Sequence, residues 1–272
     1  MESTSFSKIA ARYEKDSLVQ KSASEPLFDL LSIGGKDDVL DLGCGTGHLT
    51  KEIRQMTSGN IIGVDPAQGM IEKAQTTHGH LNINFEVCSA EELSYVDCFD
   101  IIFCNSTFQW FNPPRPVLEN CYRALRNNGR MGIQAPAQKI YSPNFVSAVK
   151  NASVNPKTKK EFAHFKDPWF FLETSGDYAT LFENVGFTVT HSIIEKVVTP
   201  YAPDKVFAVF DSGAAAGYLN TNYYDVPISK EYLCSFREIV KDSFAAQVNE
   251  SGYVDLVFFR IYLLAQKHLP LS

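Results

Sequence analysis

Apolar positions recur every three to four residues from Ser24 to Leu31, and more loosely from Phe6 to Gln20, which predicts helices at the amino terminus. The period then changes. Asp38-Val39-Leu40-Asp41-Leu42 is a short apolar run that ends in a glycine cluster, the mark of a buried parallel strand entering a tight turn. Thr46 to Met56 reads as a helix. The alternation repeats, with strands over Asn60 to Asp65, Ile83 to Cys88, Phe99 to Asn105 and Arg130 to Ala135. Helices over Pro66 to Thr77 and Pro114 to Arg126 separate them, and Asn127-Asn128-Gly129 supplies a turn. Strands and helices alternating at this spacing predict an α/β fold, a doubly wound sheet covered on both faces.

After Pro136 the rhythm breaks. The stretch to Asp167 carries Pro143, Pro156 and scattered lysines in place of a strand, and reads as an insertion. A helix over Asp177 to Asn184 stops at Gly186, and Phe187 to Ile194 alternates like a strand. Pro203 to Tyr218 and Ser229 to Val248 are amphipathic, the second with Leu233, Phe236, Val240 and Phe244 on one face. Val254 to Ala265 closes as a strand rich in aromatic and β-branched residues. The predicted organisation is amino-terminal lid helices over 1–32, a Rossmann-like core over 33–136, and a remainder over 137–272. That remainder would hold two more core strands (187–198 and 254–265) and cap insertions (137–170 and 202–250).

Composition narrows the partners. The 272 residues are 44% hydrophobic, enough for a real core, and carry a formal charge of -6, which offers duplex nucleic acid no general positive field. The most apolar stretch, Leu256 to Ala265, is short and interrupted by Arg260, and no signal peptide or membrane span is expected. The six cysteines contain no C-x-x-C pair, and the histidines do not cluster with them at zinc-ligand spacing, so reduced cytoplasmic thiols and no metal are the expectation. Lys157, Lys159, Lys160 and Lys166 make the insertion locally basic, which fits an anionic substrate or an acidic carrier protein as well as an ordinary solvated face.

The chemistry sits in Asp41-Leu42-Gly43-Cys44-Gly45-Thr46-Gly47, where the first strand meets the first helix of the core. Glycines there let the backbone turn sharply and approach a nucleotide-like ligand. The dinucleotide fingerprint G-x-G-x-x-G would need glycine at position 48, which is His48. A carboxylate at Asp41 repels a pyrophosphate and suits a cationic ligand, while Asp65, ending the second strand, can accept from two ribose hydroxyls. With these residues the sequence resembles the class I S-adenosylmethionine-dependent methyltransferases, and Gly63-Val64-Asp65-Pro66-Ala67-Gln68-Gly69-Met70 matches their second motif.

The resemblance implies a seven-stranded Rossmann-like methyltransferase sheet with a helical cap, S-adenosylmethionine as methyl donor and S-adenosylhomocysteine as product. It implies that Gly43, Cys44 and Gly45 meet the donor's amino-acid part, Asp65 its ribose, and Pro66 with Met70 its adenine. Ser89, the Ala90 amide or Glu91 would meet the adenine amino group, and Asn105 and Ser106 would lie near the methionyl group. Ala11-Arg12-Tyr13-Glu14-Lys15 and Phe259 to Ala265 are similar to the branch of trans-aconitate and malonyl-acyl-carrier-protein methyltransferases. In that branch a tyrosine at the place of Tyr13 reaches the donor's carboxylate, with Gln20 nearby.

Trp110 and Tyr223 are candidate linings for the acceptor, Trp110 equally a core aromatic and Tyr223 equally a packing residue of the cap. Asn112-Pro113-Pro114-Arg115 reads as a turn leading into a helix. Cys44 is a packing residue, since the methyl passes directly to the acceptor. A carboxylate acceptor is already ionised at neutral pH, and no general base is assigned. The leading expectation is O-methylation of a small-molecule carboxylate, free or on an acyl carrier protein. N- or C-methylation, a non-catalytic donor-binding regulator and a nicotinamide dehydrogenase are the alternatives.

Overall fold

The computed structural model describes residues 18–268, with side chains from Ala23 onward. Seven strands form one mixed sheet: β1 (Val39–Leu42), β2 (Ile61–Asp65), β3 (Asn84–Val87), β4 (Phe99–Asn105), β5 (Leu125–Pro136), β6 (Phe187–Tyr201) and β7 (Val254–Lys267). Their order is β3-β2-β1-β4-β5-β7-β6. The first five run parallel, and β7 pairs antiparallel with β5. The chain steps outward from β1 to β3, then crosses to β4 on the other side of β1, so β1 and β4 flank a topological switch point. In open α/β sheets the crevice beyond the carboxyl ends of such strands is where ligands bind.

Strand alternation sorts the core into two layers. Val39, Ile101 and Phe103 face helix α1 (Leu18–Leu31), where Leu27 and Leu31 are buried and Phe28 stacks on Phe103 at 4.8 Å between ring centroids. Leu40, Leu42, Ile102, Cys104, Met131 and Ile133 face the opposite layer with Phe108, Tyr178 and Phe182. All four residues of β1 are buried, as a central parallel strand covered on both faces requires.

Between β1 and β4 the chain forms α2 (His48–Met56) and α3 (Gln68–His78), and α4 (Arg115–Ala124) leads to β5. The turn predicted at Asn127-Asn128-Gly129 lies inside β5, not before it. Phe99 pairs with Leu125 while Ile101 pairs with Arg130, so the intervening residues bulge out of the ladder, with Asn128 at φ 64. Arg126, on that bulge, holds Asp100 at 2.7 Å and Asp38 at 2.8 Å.

The chain divides into two compact units. The sheet unit comprises Val19–Lys139, Trp169–Glu195 and the chain from Arg260 onward. The other unit, over Ile140–Pro168 and Lys196–Phe259 of the described residues, is mainly helical. Its helices are α5 (Pro143–Val154), α6 (Lys159–Phe162), α8 (Pro203–Ser212), α9 (Ala215–Tyr218) and α10 (Lys230–Ala245); α7 (Ser175–Glu183) belongs to the sheet unit.

Leu233, Phe236, Val240 and Phe244 of α10 are all buried. Phe145, Ala148, Val149 and Ala152 of α5 are buried at the same helical spacing, and the Phe145 ring meets Phe210, Phe244 and Phe258 at 5.2, 5.5 and 5.3 Å. Pro143, read in the sequence as an interruption, is the first residue of α5, where its missing N–H has no helical partner to lose. Among the described residues no helix is long and apolar enough to cross a membrane.

Candidate functional site

The glycine turn between β1 and α2 is held open by backbone conformations that side chains resist. Gly43, Gly45 and Gly47 have φ of 79, 54 and 77. A Cβ on Gly43 would meet the Thr107 hydroxyl oxygen at 2.2 Å, so β1 and the loop after β4 approach as closely as glycine allows. The amides of Gly43 and Cys44 both donate to the Val64 carbonyl, at 2.8 and 3.0 Å, which ties the turn to the end of β2.

Two carboxylates flank this turn. Asp41 is 2% exposed and accepts from the Thr50 hydroxyl at 2.6 Å, so α2 fixes its orientation. Burial, with a smaller contribution from the charge of Asp65, pushes its pKa up to about 7. Asp65 accepts from the Gly45 amide at 3.1 Å on one oxygen and the Ala67 amide at 2.8 Å on the other. Burial still raises its pKa, outweighing both amides. Each Asp65 oxygen retains a further lone pair, the arrangement a vicinal diol can use. Two carboxylates strained toward neutrality make a site that gains by receiving a positive charge.

The thiol of Cys44 is 9% exposed and pushed well up by burial and by Asp41 and Asp65, so it stays a protonated packing group. Gly63 sits beneath it, where an added Cβ would lie 3.1 Å from the Cys44 sulfur.

Beyond β2, Pro66 is exposed and Met70 is buried. The Ser89 hydroxyl donates to Glu92 Oε2 at 3.0 Å, Ala90 is buried and Glu91 exposed. Asn120 of α4 holds the carbonyls of Ala90 and Glu91 at 3.1 and 2.9 Å, and the Cys88 amide donates to the Asp65 carbonyl at 3.2 Å. The loop after β3 is thereby fixed to the end of β2.

At the end of β4, Asn105 is 8% exposed and Ser106 takes φ 56, a left-handed conformation rare for serine. Its hydroxyl donates to Gln134 Oε1 at 3.0 Å, and its amide donates to the Gln134 carbonyl at 2.7 Å. Gln109 donates from Nε2 to the Ser106 carbonyl at 2.9 Å, while its buried Oε1 has no partner among the described residues. Trp110 is half-buried with its ring 5.6 Å from Trp169, and Phe111 is buried. Asn112-Pro113-Pro114 leads directly into α4 at Arg115.

Asp41, Gly43, Cys44, Gly45, Asp65, Asn105 and Ser106 thus meet at the carboxyl edge of β1, β2 and β4, linked through Thr50, Val64 and Thr107. Thr107 bonds the Gly43 and Asn105 carbonyls at 3.5 and 3.2 Å. Tyr223 lies half-buried in the helical unit, its phenol pushed up by burial. Lys157 faces Glu238 at 3.8 Å and Lys166 faces Asp225 at 2.6 Å, all exposed, so part of the basic charge of this segment is answered locally. Tyr13 lies outside the described residues, as does the Gln20 side chain.

Sequence reading passed over Thr50, Thr107 and Gln134. Thr50 carries a usable signal, since it follows Asp41 within the first turn of the next helix. Thr107 and Gln134 carry none, because only strand pairing brings them to the site.

A parallel sheet with one reversed strand and an acid-flanked glycine turn at the β1 edge defines a Rossmann-like core. Residues 39–129 match the methyltransferase domain family. The malonyl-[acyl-carrier protein] O-methyltransferase of Acetivibrio thermocellus is 35% identical over 140 residues, covering 50% of this chain and 50% of that protein. The one from Calditerrivibrio nitroreducens is 30% identical over 168 residues, covering 61% and 65%. The chain spans about half the length of the first of these relatives and about two thirds of the second. The YcgJ protein of Bacillus subtilis shares the fold at TM-score 0.57 and 18% identity, covering 94% of this chain and 99% of that one. Among the described residues no three His, Cys, Asp or Glu side chains converge as metal ligands.

Proposed function

We propose that the chain is an S-adenosylmethionine-dependent methyltransferase that methylates a carboxylate oxygen of a small acceptor, free or borne on an acyl carrier protein, in the cytoplasm. The observation that carries this reading is the pair of acids, Asp41 buried and Asp65 half-buried, on either side of a turn whose Gly43 and Gly47 leave no room for a Cβ. The residues fit the donor: a buried acid suits its ammonium, and the spare lone pairs of Asp65 suit its ribose diol.

When bound, the donor supplies an electrophilic methyl on a sulfonium, so the chain has no electrophile of its own to build. Asp41, held by Thr50, orients the amino-acid end; Asp65, held by Gly45 and Ala67, orients the ribose; Gly43 and Ser106 shape the floor beneath the sulfur. Positioning of this kind accounts for rate without a base when the acceptor is an anion. The likeness to malonyl-[acyl-carrier protein] O-methyltransferases, enzymes named for O-methylation of malonyl-acyl-carrier protein, supports the carboxylate reading.

Isothermal titration with S-adenosylhomocysteine tests the donor site, with binding expected for the natural chain and lost in Gly45→Asp. That substitution places a third carboxylate beside Asp41 and Asp65 at φ 54. Binding that survives Gly45→Asp, or none in the natural chain, would sink the reading. Transfer from methyl-labelled donor into carboxylates, amines and carrier-bound malonate then separates O-methylation from N-methylation and from a donor-binding protein without turnover.

A further inference from the structure

The basic charge of the helical unit is concentrated and sorted. Between Ile140 and Pro168 stand Lys150, Lys157, Lys159, Lys160 and Lys166 against Glu161 and Asp167, five positive charges to two negative. This segment is therefore at +3 in a chain whose formal charge is -6. All five lysines are exposed. The two acids are felt inside the unit: the field of half-buried Glu161 reaches the Tyr232 phenol, and that of Asp167 reaches Tyr141 and Tyr218, all three phenols being buried. Lys157 and Lys166 face Glu238 and Asp225, whereas Lys150, Lys159 and Lys160 form no ion pair among the described residues.

These three lysines sit on one fixed corner. The exposed positions of α5, namely Pro143, Ser147, Lys150, Asn151 and Val154, include no acid. Lys150 and Val154 are one helical turn apart and share a face. After Val154 the chain turns on Asn155, whose carbonyl accepts from the Thr158 and Lys159 amides at 3.0 and 2.8 Å and whose Oδ1 accepts from the Lys157 amide at 3.0 Å. The Thr158 hydroxyl donates to the Ala152 carbonyl, so the end of α5 and the start of α6 are tied to each other. Val154 is 65% exposed, more than any other large apolar side chain among the described residues. With lysines before and after it, the corner has the anatomy of a small protein interface, an apolar centre inside a charged rim.

We propose that this corner of α5 and α6 docks an acidic protein domain, the carrier on which the methyl acceptor arrives. The proposal rests on the carrier-borne acceptor of the reading above and adds the surface that meets the body of the carrier. Charge complementarity selects the occupant. Taking +3 from -6 leaves the rest of the chain at -9, so an acidic partner is repelled elsewhere and steered to the segment of opposite sign. An anionic bilayer holds a peripheral protein through an apolar anchor as well as basic charge, and one valine is a small anchor. A contact of this size is transient, which suits a carrier that must leave after each transfer.

The test is biolayer interferometry of the full chain against immobilised apo-acyl carrier protein, which bears neither pantetheine arm nor acyl group, between about 50 and 500 mM salt. Binding that weakens as salt rises is expected. Lys150→Glu, Lys159→Glu and Lys160→Glu together should weaken it about tenfold or more, and Val154→Ser alone about fourfold. Thermal unfolding, S-adenosylhomocysteine affinity and methyl transfer to malonyl-pantetheine, the same thioester without the carrier, should be unchanged in these variants. The fall in kcat/KM is then confined to malonyl-acyl carrier protein, which a merely structural role of the lysines would not produce.

No carrier binding by the natural chain, or equal binding by the charge-reversed variant, overturns the proposal. Binding to phosphatidylserine vesicles in place of the carrier, lost on the same substitutions, overturns it and assigns the corner to a membrane; self-association lost in the same way assigns it to a second copy. If the triple variant does not fold, Lys160→Glu alone decides, with about twofold weaker carrier binding expected and equal binding overturning the proposal. Failure of S-adenosylhomocysteine to bind removes the methyl-transfer reading, whereas failure to bind the carrier, measured with neither donor nor acyl group present, removes this proposal alone.

Discussion

Asp41 is an acid that the fold makes uncomfortable. Its pKa stands at about 7 against an ordinary 3.8, chiefly because burial penalises the charged form. The sign follows from proton linkage: a carboxyl with a raised folded pKa contributes stability that is complete below 3.8 and lost as pH rises through about 7. A cationic ligand reverses the preference, because it favours the ionised form. Donor affinity should therefore rise with pH up to about 7 and level off above it, with a proton released on binding below that pH. Titrations in buffers of different ionisation enthalpy measure the proton directly. Thr50→Val removes the 2.6 Å hydrogen bond that lowers this pKa, so the plateau should move to higher pH. An affinity independent of pH between 5 and 8 would show that Asp41 does not face the ligand's charge.

Helix α5 shows what a single element contributes. Its buried stripe of Phe145, Ala148, Val149 and Ala152 places one phenylalanine among three others. Phe145→Ala deletes a ring that is 2% exposed, and large-to-small changes of this kind cost about 3–5 kcal/mol. Urea denaturation followed by circular dichroism should register that loss, and a change under about 1 kcal/mol would mean the ring is not part of a packed core. The amino end of the helix is fixed by Asn144, which donates to Gln247 at 2.9 Å and accepts from the Val257 amide at 2.9 Å. Scattered lysines and two prolines, Pro143 and Pro156, hid this helix in the sequence, because proline marks a first helical turn as readily as a break.

For the whole molecule, donor binding and stability are one measurement. A ligand that binds only the folded state at a hundred times its dissociation constant stabilises by about 2.7 kcal/mol, and for a chain of this size that shifts the melting temperature by about 5–10 °C. S-adenosylhomocysteine should produce such a shift in differential scanning fluorimetry, and NAD should produce none. The reverse pattern would restore the dinucleotide reading that His48 argues against.

The local layout is legible in the amino-acid sequence. Strand β1, the glycine turn, Asp41 and Asp65 were legible because parallel strands buried on both faces read as unbroken apolar runs and because positive φ calls for glycine. The buried face of α10 was legible for the same reason, since a 3.6-residue period is a local property. The long-range features emerge with folding: the pairing of β7 against β5, the bulge after Leu125 and the meeting of Ser106, Gln134, Tyr262 and Arg260. Those residues are up to 154 positions apart, and strand register depends on which face each partner buries, so no local pattern encodes their contact. The glycine turn and its two acids follow from one loop and its neighbours; the row of Ser106, Gln134, Tyr262 and Arg260 follows from how the sheet closes.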